Sequence, residues 1–250
     1  ELLSRGYSRD KRFDCKQIVI GLVVTREGLP VSWRVFEGNR IDSKTLNEMV
    51  DDLKTRFCVK RCIWVSDAGL LSKENLGVLR QSGYDYILGA GSGTYREVKK
   101  ALKTPDLQFK KIAGVDVCDQ PINLELSENE EVSCRAILIE SDGRREKTAA
   151  ILERRLNLVR NGFDALKQSV SNGYYKTRED IHVAAEKLLH KSCVKKYFTY
   201  EFDDQKFDYN ENHELVQLQK KQAGRYALLT ESNLELEDVI NGYKTLLAVE

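Results

Sequence analysis

Apolar and polar positions change period several times along the chain, and each change marks an element. "CKQIVIGLVVT" (15–25) is a long β-branched run, "GLP" turns it, and "VSWRVFEGN" (31–39) alternates; together they predict an antiparallel hairpin. Between 42 and 57, Leu46, Met49, Val50, Leu53 and Phe57 recur at helical spacing. That stripe predicts an amphipathic helix, with Asp42 or Ser43 as its cap. "RCIWVSD" (61–67) is short and almost wholly apolar, which suits a central strand covered on both faces. Ser72 is placed to cap a helix through about Gln81, which Gly83 ends, and "YDYILGA" (84–90) is the next strand. Strand, helix, strand, helix, strand predicts a layered α/β core with parallel central strands.

After Gly93 the character changes. Segments near 108–113, 121–126 and 132–140 read as strands, and 141–170 reads as mainly helical with Gly162 as a weak point. Thr177 opens a second helix through about 190, with Asp180 in a capping-box position. Phe198, Tyr200 and Phe202 alternate onto one face, and read as core of this part of the chain. "GRYALLT" (224–230) is a last strand, and "SNLELEDVINGYKTLLAVE" (232–250) a closing helix. No repeat or low-complexity linker interrupts the chain. The expected organisation is a first core part over 1–92, an insertion over 93–222, and a last core strand and helix over 223–250.

Hydrophobic content of 41% and charged content of 32% describe a soluble globular chain. No apolar run approaches the roughly 20 residues that span a bilayer. The first residues, "ELLSRGYSRD", contain no initiator Met and no signal-peptide pattern, so the chain reads as the middle of a longer protein. The six cysteines contain no C-x-x-C pair and there are only three histidines, which argues against a zinc site. Cys62 and Cys134 stand in apolar runs as reduced core residues, and a cytosolic compartment fits best. Net charge of +1 excludes a globally basic protein, but not a local basic face. Arg144, Arg145, Lys147, Arg154, Arg155, Arg160 and Lys167 cluster on one predicted helix, and Lys99, Lys100, Lys103, Lys110 and Lys111 form another patch. Each can be an ordinary solvated face or a phosphate-binding one.

Two carboxylates raise the question of chemistry. Asp67 ends an apolar strand; it is either a turn residue or, with Ser72 taking the cap, a group presented at the strand's carboxyl end, where open α/β sheets bind ligands. Glu250 follows Tyr243 by seven residues and Leu246 by four, on the apolar stripe of the closing helix. It is either a paired or metal-bound carboxylate, or a solvated helix end. A nucleotide-binding module is disfavoured: no G-x-x-x-x-G-K-[ST] is present, and "GAGSG" (89–93) does not obviously open a helix.

"GYSRDKRFDCKQIVIGLVVTREGLPVSWRVFEGNRIDSKTLNEMVDDL", "VSDAGLLSKENLGVLRQSGYDYILGA" and "GRYALLTESNLELEDVINGYKTLLAVE" together resemble the catalytic domain of DDE transposases from bacterial insertion sequences. The resemblance is strong over 5–90 and 222–250 and only general between. It implies an α/β fold: an RNase H-like mixed sheet flanked by helices, interrupted by a mainly β insertion with added helices. Asp67 matches the second acidic residue of the catalytic triad and Glu250 the third. The family's late motif continues the match at Tyr243, but Leu246 stands at its Arg position, and its Lys would fall past residue 250. The first acid lies on a strand before "GYSRD" and has no match here; Asp10, Asp14 and Asp42 match positions outside the triad.

The resemblance further implies Mg²⁺ or Mn²⁺, two ions, held between these carboxylates and the scissile phosphate. The implied reactions are hydrolysis freeing a 3′-hydroxyl at the transposon ends and attack of that hydroxyl on target DNA. Double-stranded DNA (terminal inverted repeats and target) is the implied partner, with a homodimer on DNA, no membrane, and a cytoplasmic, nucleoid-associated setting in a bacterium. Tyr243, Arg144, Arg145, Lys147, Arg154 and Arg155 are the expected DNA contacts. Without the first acid this chain is expected to be inactive; the alternative is a DNA-binding relic.

Overall fold

The computed structural model describes residues 2–7, 14–91, 95–104, 107–127, 130–175, 177–203 and 206–248. Strands β1 (Ile18–Val24) and β2 (Pro30–Glu37) form the expected antiparallel hairpin, with Leu22 opposite Trp33 and Ile20 opposite Val35. Helix α1 (Leu46–Thr55) buries Leu46, Met49, Val50 and Leu53, the predicted stripe; Phe57 falls past its end. Neither Asp42 nor Ser43 caps it. They sit in a 3₁₀ turn (Asp42–Lys44), where the Asp42 carbonyl accepts from the Thr45 N–H at 3.0 Å and from Thr45 Oγ1 at 2.7 Å. On the same inward face, buried Asp52 accepts from Arg34 Nη2 at 2.9 Å and Nε at 3.3 Å, and from Ser32 Oγ at 3.3 Å. The Arg34 guanidinium holds that carboxyl below its ordinary range and ties the hairpin to α1.

Strand β3 (Ile63–Ser66), helix α2 (Lys73–Ser82) and strand β4 (Asp85–Ala90) follow, with β3 and β4 parallel as expected. Ser72 Oγ accepts from the Asn75 N–H at 3.1 Å, and Gly83 closes α2 at φ +71°, where glycine has no side-chain penalty. Helix α3 (Arg96–Lys103) has no counterpart in the sequence reading: only Val98, Ala101 and Leu102 turn inward, too short a stripe to register. Then come β5 (Lys110–Ile112), β6 (Val115–Ser127) and β7 (Glu130–Glu140), helices α4 (Asp142–Ser171) and α5 (Arg178–Ser192), strands β8 (Phe198–Phe202) and β9 (Phe207–Glu211), α6 (His213–Lys221), β10 (Arg225–Thr230) and α7 (Leu236–Lys244).

Two compact units result: Glu1–Glu140 with Tyr226–Glu250, and Ser141–Arg225. In the first, six strands run in the order β3-β4-β10-β7-β6-β5, mixed in direction: β3 and β4 are parallel, and β10 is antiparallel to β4. One face packs on α1, α2 and α3 through Leu46, Leu76, Val98 and Leu138; the other packs on α7 through Ile87, Ile137, Leu228, Val239 and Ile240. This is the RNase H-like α/β class. The β1–β2 hairpin is a separate two-stranded sheet, although its Val23 and Val31 lie on the same core as Trp64 of β3. Among the described residues, β1 pairs along its length only with β2, and β3 only with β4.

In the second unit α4 runs through Gly162 unbroken. A β-carbon there would come within 2.8 Å of Leu188 Cδ2, so the glycine marks a close contact of α4 with α5. Phe163 is fully buried among Phe198, Tyr200, Phe207 and Tyr209, which confirms the aromatic row as core. Ion pairs absorb much of the local charge: Arg160 with Glu211 and Glu153, Lys167 with Asp208, and Lys220 with Glu153.

Candidate active site

Asp67 lies one residue past β3 and two past Val65, which packs in the cluster formed with Val239 and Ile240 of α7. Its side chain is exposed, and its Oδ1 accepts from the Gly69 N–H at 2.9 Å. The turn reading of Asp67 therefore holds for one oxygen, which fixes the carboxylate's orientation. Among the described residues Oδ2 accepts no hydrogen bond.

Beside this tip runs β4, and its Gly89 is the close point of the site. A β-carbon on Gly89 would lie 2.5 Å from Tyr243 Oη, 3.2 Å from Tyr243 Cζ and 3.3 Å from the Ala68 amide nitrogen. The last helix therefore seats its tyrosine on β4 next to the peptide that follows Asp67. Three further contacts fix α7. Val239 and Ile240 are buried against the sheet. Arg135 of β7 donates to the carbonyls of Ser232 (3.1 Å) and Leu234 (2.7 Å), ahead of α7, while Asp119 holds its other nitrogens at 2.7 and 3.1 Å. Lys244 Nζ donates to the Ala113 carbonyl at 2.7 Å, in the turn joining β5 to β6.

The closing helix is shorter than its apolar stripe predicts. It ends at Lys244 and continues as a 3₁₀ turn (Thr245–Ala248). Thr245 Oγ1 donates back to the Gly242 carbonyl at 2.6 Å, a local bond that competes with the regular helical pattern. Glu250 lies outside the described residues, as does Asp10. Asp14 and Asp42 are exposed, the latter in the turn before α1. Among the described residues no group of three His, Cys, Asp or Glu side chains could hold a metal ion.

Of the expected DNA contacts, Tyr243 is half-buried at Gly89. Arg144, Lys147, Arg154 and Arg155 are exposed on α4, and their spacing puts them on one face together with exposed Ile151 and Leu158. Arg145 is half-buried and pairs with Asp142 at 3.2 Å. These five α4 residues belong to the second unit. Sequence reading missed Gly89, because a glycine inside a strand signals only a bulge or a close approach, not its partner. No helix is long and apolar enough to cross a membrane among the described residues.

The family described as Transposase DDE domain matches residues 2–168 of the chain. No curated protein and no solved structure matches it. With an RNase H-like sheet that delivers Asp67 at a strand tip, and a family match spanning most of the chain, this protein belongs to the DDE transposases, enzymes that cut and join DNA.

Proposed function

We infer that the chain carries most of a divalent-metal transposase centre, in which Asp67 and Glu250 are two of three catalytic carboxylates. The observation that carries this reading is the convergence of Tyr243 and the Ala68 amide on Gly89, which brings the last helix to the Asp67 tip. The Asp67 carboxylate fits a hard cation: it is an exposed oxygen donor, oriented by one backbone N–H and open at its second oxygen. Mg²⁺ or Mn²⁺ bound there, as a pair, would activate water and stabilise the leaving oxygen of a phosphodiester. Asp67 and Glu250 would hold the ions, and the Gly69 N–H orients the Asp67 carboxylate toward them.

The first carboxylate has no match in this chain. Among the described residues β1 and β3 each leave one edge without a strand, where a strand bearing it would add, and β3 carries two buried polar atoms, Trp64 Nε1 and Ser66 Oγ, without partners there. Residues 93–222 form the insertion, whose strands β5 to β7 extend the sheet. Arg144, Arg145, Lys147, Arg154 and Arg155 supply phosphate contacts on double-stranded DNA, both terminal inverted repeats and target, with a homodimer holding two ends in the bacterial nucleoid. The chain by itself does not cut.

The test is cleavage and strand transfer on labelled DNA carrying the element's ends, with Mg²⁺ or Mn²⁺, by the chain alone and by the complete reading frame that encodes it. The expected result is no cutting by the chain and cutting by the complete protein that Asp67→Asn or Glu250→Gln abolishes. Robust cutting by the chain would overturn its incompleteness; a complete protein indifferent to Asp67→Asn would overturn the site. Leu246 at the family's Arg position favours a second reading, a relic that binds DNA without cutting. Binding without cutting by the complete protein would establish it.

A further inference from the structure

We propose that Gly89 is a positioning residue for the reaction: its missing side chain forms the seat that fixes Tyr243, and through it the end of α7, against the turn that carries Asp67. This rests on the reading of Asp67 as a metal ligand. The geometry is specific. The space of a single methyl group on β4 is taken by the Tyr243 hydroxyl at 2.5 Å and its ring carbon at 3.2 Å, and the Ala68 amide closes the other side at 3.3 Å. Real β-carbons do not sit at 2.5 Å from an oxygen, so any side chain at 89 must displace the phenol or the turn. The phenol packs beside the Tyr226 ring, with centroids 6.3 Å apart, and the backbone beneath it is held. Tyr243 is the last residue but one of α7, whose preceding turn is buried at Val239 and Ile240, and the next residue, Lys244, is tied to Ala113. The displacement therefore passes to the tip of α7 or to the Asp67 turn, the two parts whose spacing the metal chemistry needs. Neighbouring Ile87 and Leu228 fill their share of the same face with side chains; Gly89 alone among these leaves a seat.

The experiment uses the chain with 3-fluorotyrosine in place of tyrosine, read by fluorine NMR. Tyr243→Phe assigns the Tyr243 resonance. Mn²⁺ is then titrated in as the paramagnetic probe. In the unaltered protein the Tyr243 signal is expected to broaden, and Asp67→Asn to abolish the broadening. In Gly89→Ala the Tyr243 signal is expected to shift and its Mn²⁺ broadening to fall severalfold, while tyrosines of the second unit, such as Tyr209, stay unchanged. Where Gly89→Ala alone does not fold, the Gly89→Ala/Tyr243→Phe double variant, which removes the atom at 2.5 Å, is expected to recover the melting temperature. A Tyr243 signal with unchanged shift and broadening in Gly89→Ala, or a double variant no better than the single one, overturns the seat. Absence of broadening in the unaltered protein, or broadening that survives Asp67→Asn, sinks the metal reading of Asp67 itself and the positioning role with it.

Discussion

Replacing Arg160 by alanine removes the guanidinium that neutralises a buried carboxylate in the second unit. Arg160 closes two bonds of 2.7 Å on Glu211, Nε to Oε2 and Nη2 to Oε1, and the Glu211 side chain is only 6% exposed. Its remaining nitrogen donates to Glu153 at 2.6 Å and Asn157 at 2.7 Å. These partners do not suffer equally. Glu153 keeps Lys220 at 2.7 Å, and exposed Asn157 turns to water. Among the described residues Glu211 then keeps only His213 Nδ1 at 3.6 Å, beyond hydrogen-bond reach. Leaving that carboxylate buried and unpaired costs about 3–5 kcal/mol. The opposite change, Glu211→Gln, costs about 1–2 kcal/mol, because a neutral amide still accepts from Arg160 and the arginine keeps Glu153. The asymmetry is the test: Arg160→Ala strands a buried charge, whereas Glu211→Gln removes that charge together with one bond from Arg160.

Both tryptophans, Trp33 and Trp64, lie in the first unit, so their fluorescence does not report this event. Hydrogen–deuterium exchange of peptides covering 153–163 and 207–216 does, through the opening free energy of α4 and β9. At acid pH the cost of Arg160→Ala should shrink, because the stranded Glu211 can take a proton. An Arg160→Ala cost below about 1 kcal/mol, or one equal to that of Glu211→Gln, would refute the reasoning.

Other outcomes follow from the same contacts. Lys220 and Arg160 hold Glu153, Arg160 holds Glu211, Arg34 holds Asp52 and Lys167 holds Asp208 below the ordinary carboxylate range. Carboxyls depressed on folding stabilise above their unfolded values, so urea midpoints should hold above the ordinary glutamate value of 4.5 and fall from there toward about 2, where Asp208 sits; a flat profile would contradict this. Burial pushes the Cys134 thiol up to about 12 and that of Cys62 to about 11, so a thiol reagent should label exposed Cys15, Cys58 and Cys193 first and Cys134 only on unfolding. Gly162→Ala gains up to about 1 kcal/mol of helix propensity but overpacks Leu188 by about 1–3 kcal/mol, so a lower melting temperature is expected, and a higher one would show a looser α4–α5 contact. Reversing the charges of Lys147 and Arg154 should weaken binding to mixed-sequence duplex and lower the salt slope by roughly one to two; an unchanged slope would remove α4 from the DNA surface.

What the sequence made legible was whatever repeats locally. The α1 stripe, the Ser72 and Thr177 caps, Gly83 and the β-branched hairpin each combine a period with a stop signal, and each stands where expected. Short elements escaped it. Helix α3 offers three inward residues, and β9 and α6 are short elements in a charged stretch, where Asp208 and Glu211 are bound by Lys167 and Arg160. The Asp42 cap failed because a 3₁₀ turn intervenes, a difference of backbone pitch that composition does not encode. Asp67 was legible as a carboxylate at a strand tip; the seat at Gly89 was not, because a glycine's role depends on which distant side chain approaches it.

The last helix shows why the site depends on the sheet more than on helical period. Nine residues are too few for a helix to hold its own geometry in water, so α7 takes its position from its surroundings. Its lead-in carbonyls are gripped by Arg135 from β7, its middle is buried on Ile87 and Leu228, and its end is tied by Lys244 to the β5–β6 turn and by Tyr243 to Gly89. Ala113, which accepts from Lys244, stands at φ +49°, a left-handed conformation costing about 1 kcal/mol in a residue other than glycine. Three strands and one turn thus converge on one short helix, and the direction in which the chain leaves it is theirs to set. A carboxylate placed by a 3.6-residue period alone would drift once α7 gives way to a 3₁₀ turn. The seat on β4 holds Tyr243 beside the Ala68 peptide whatever the pitch of the turn that follows.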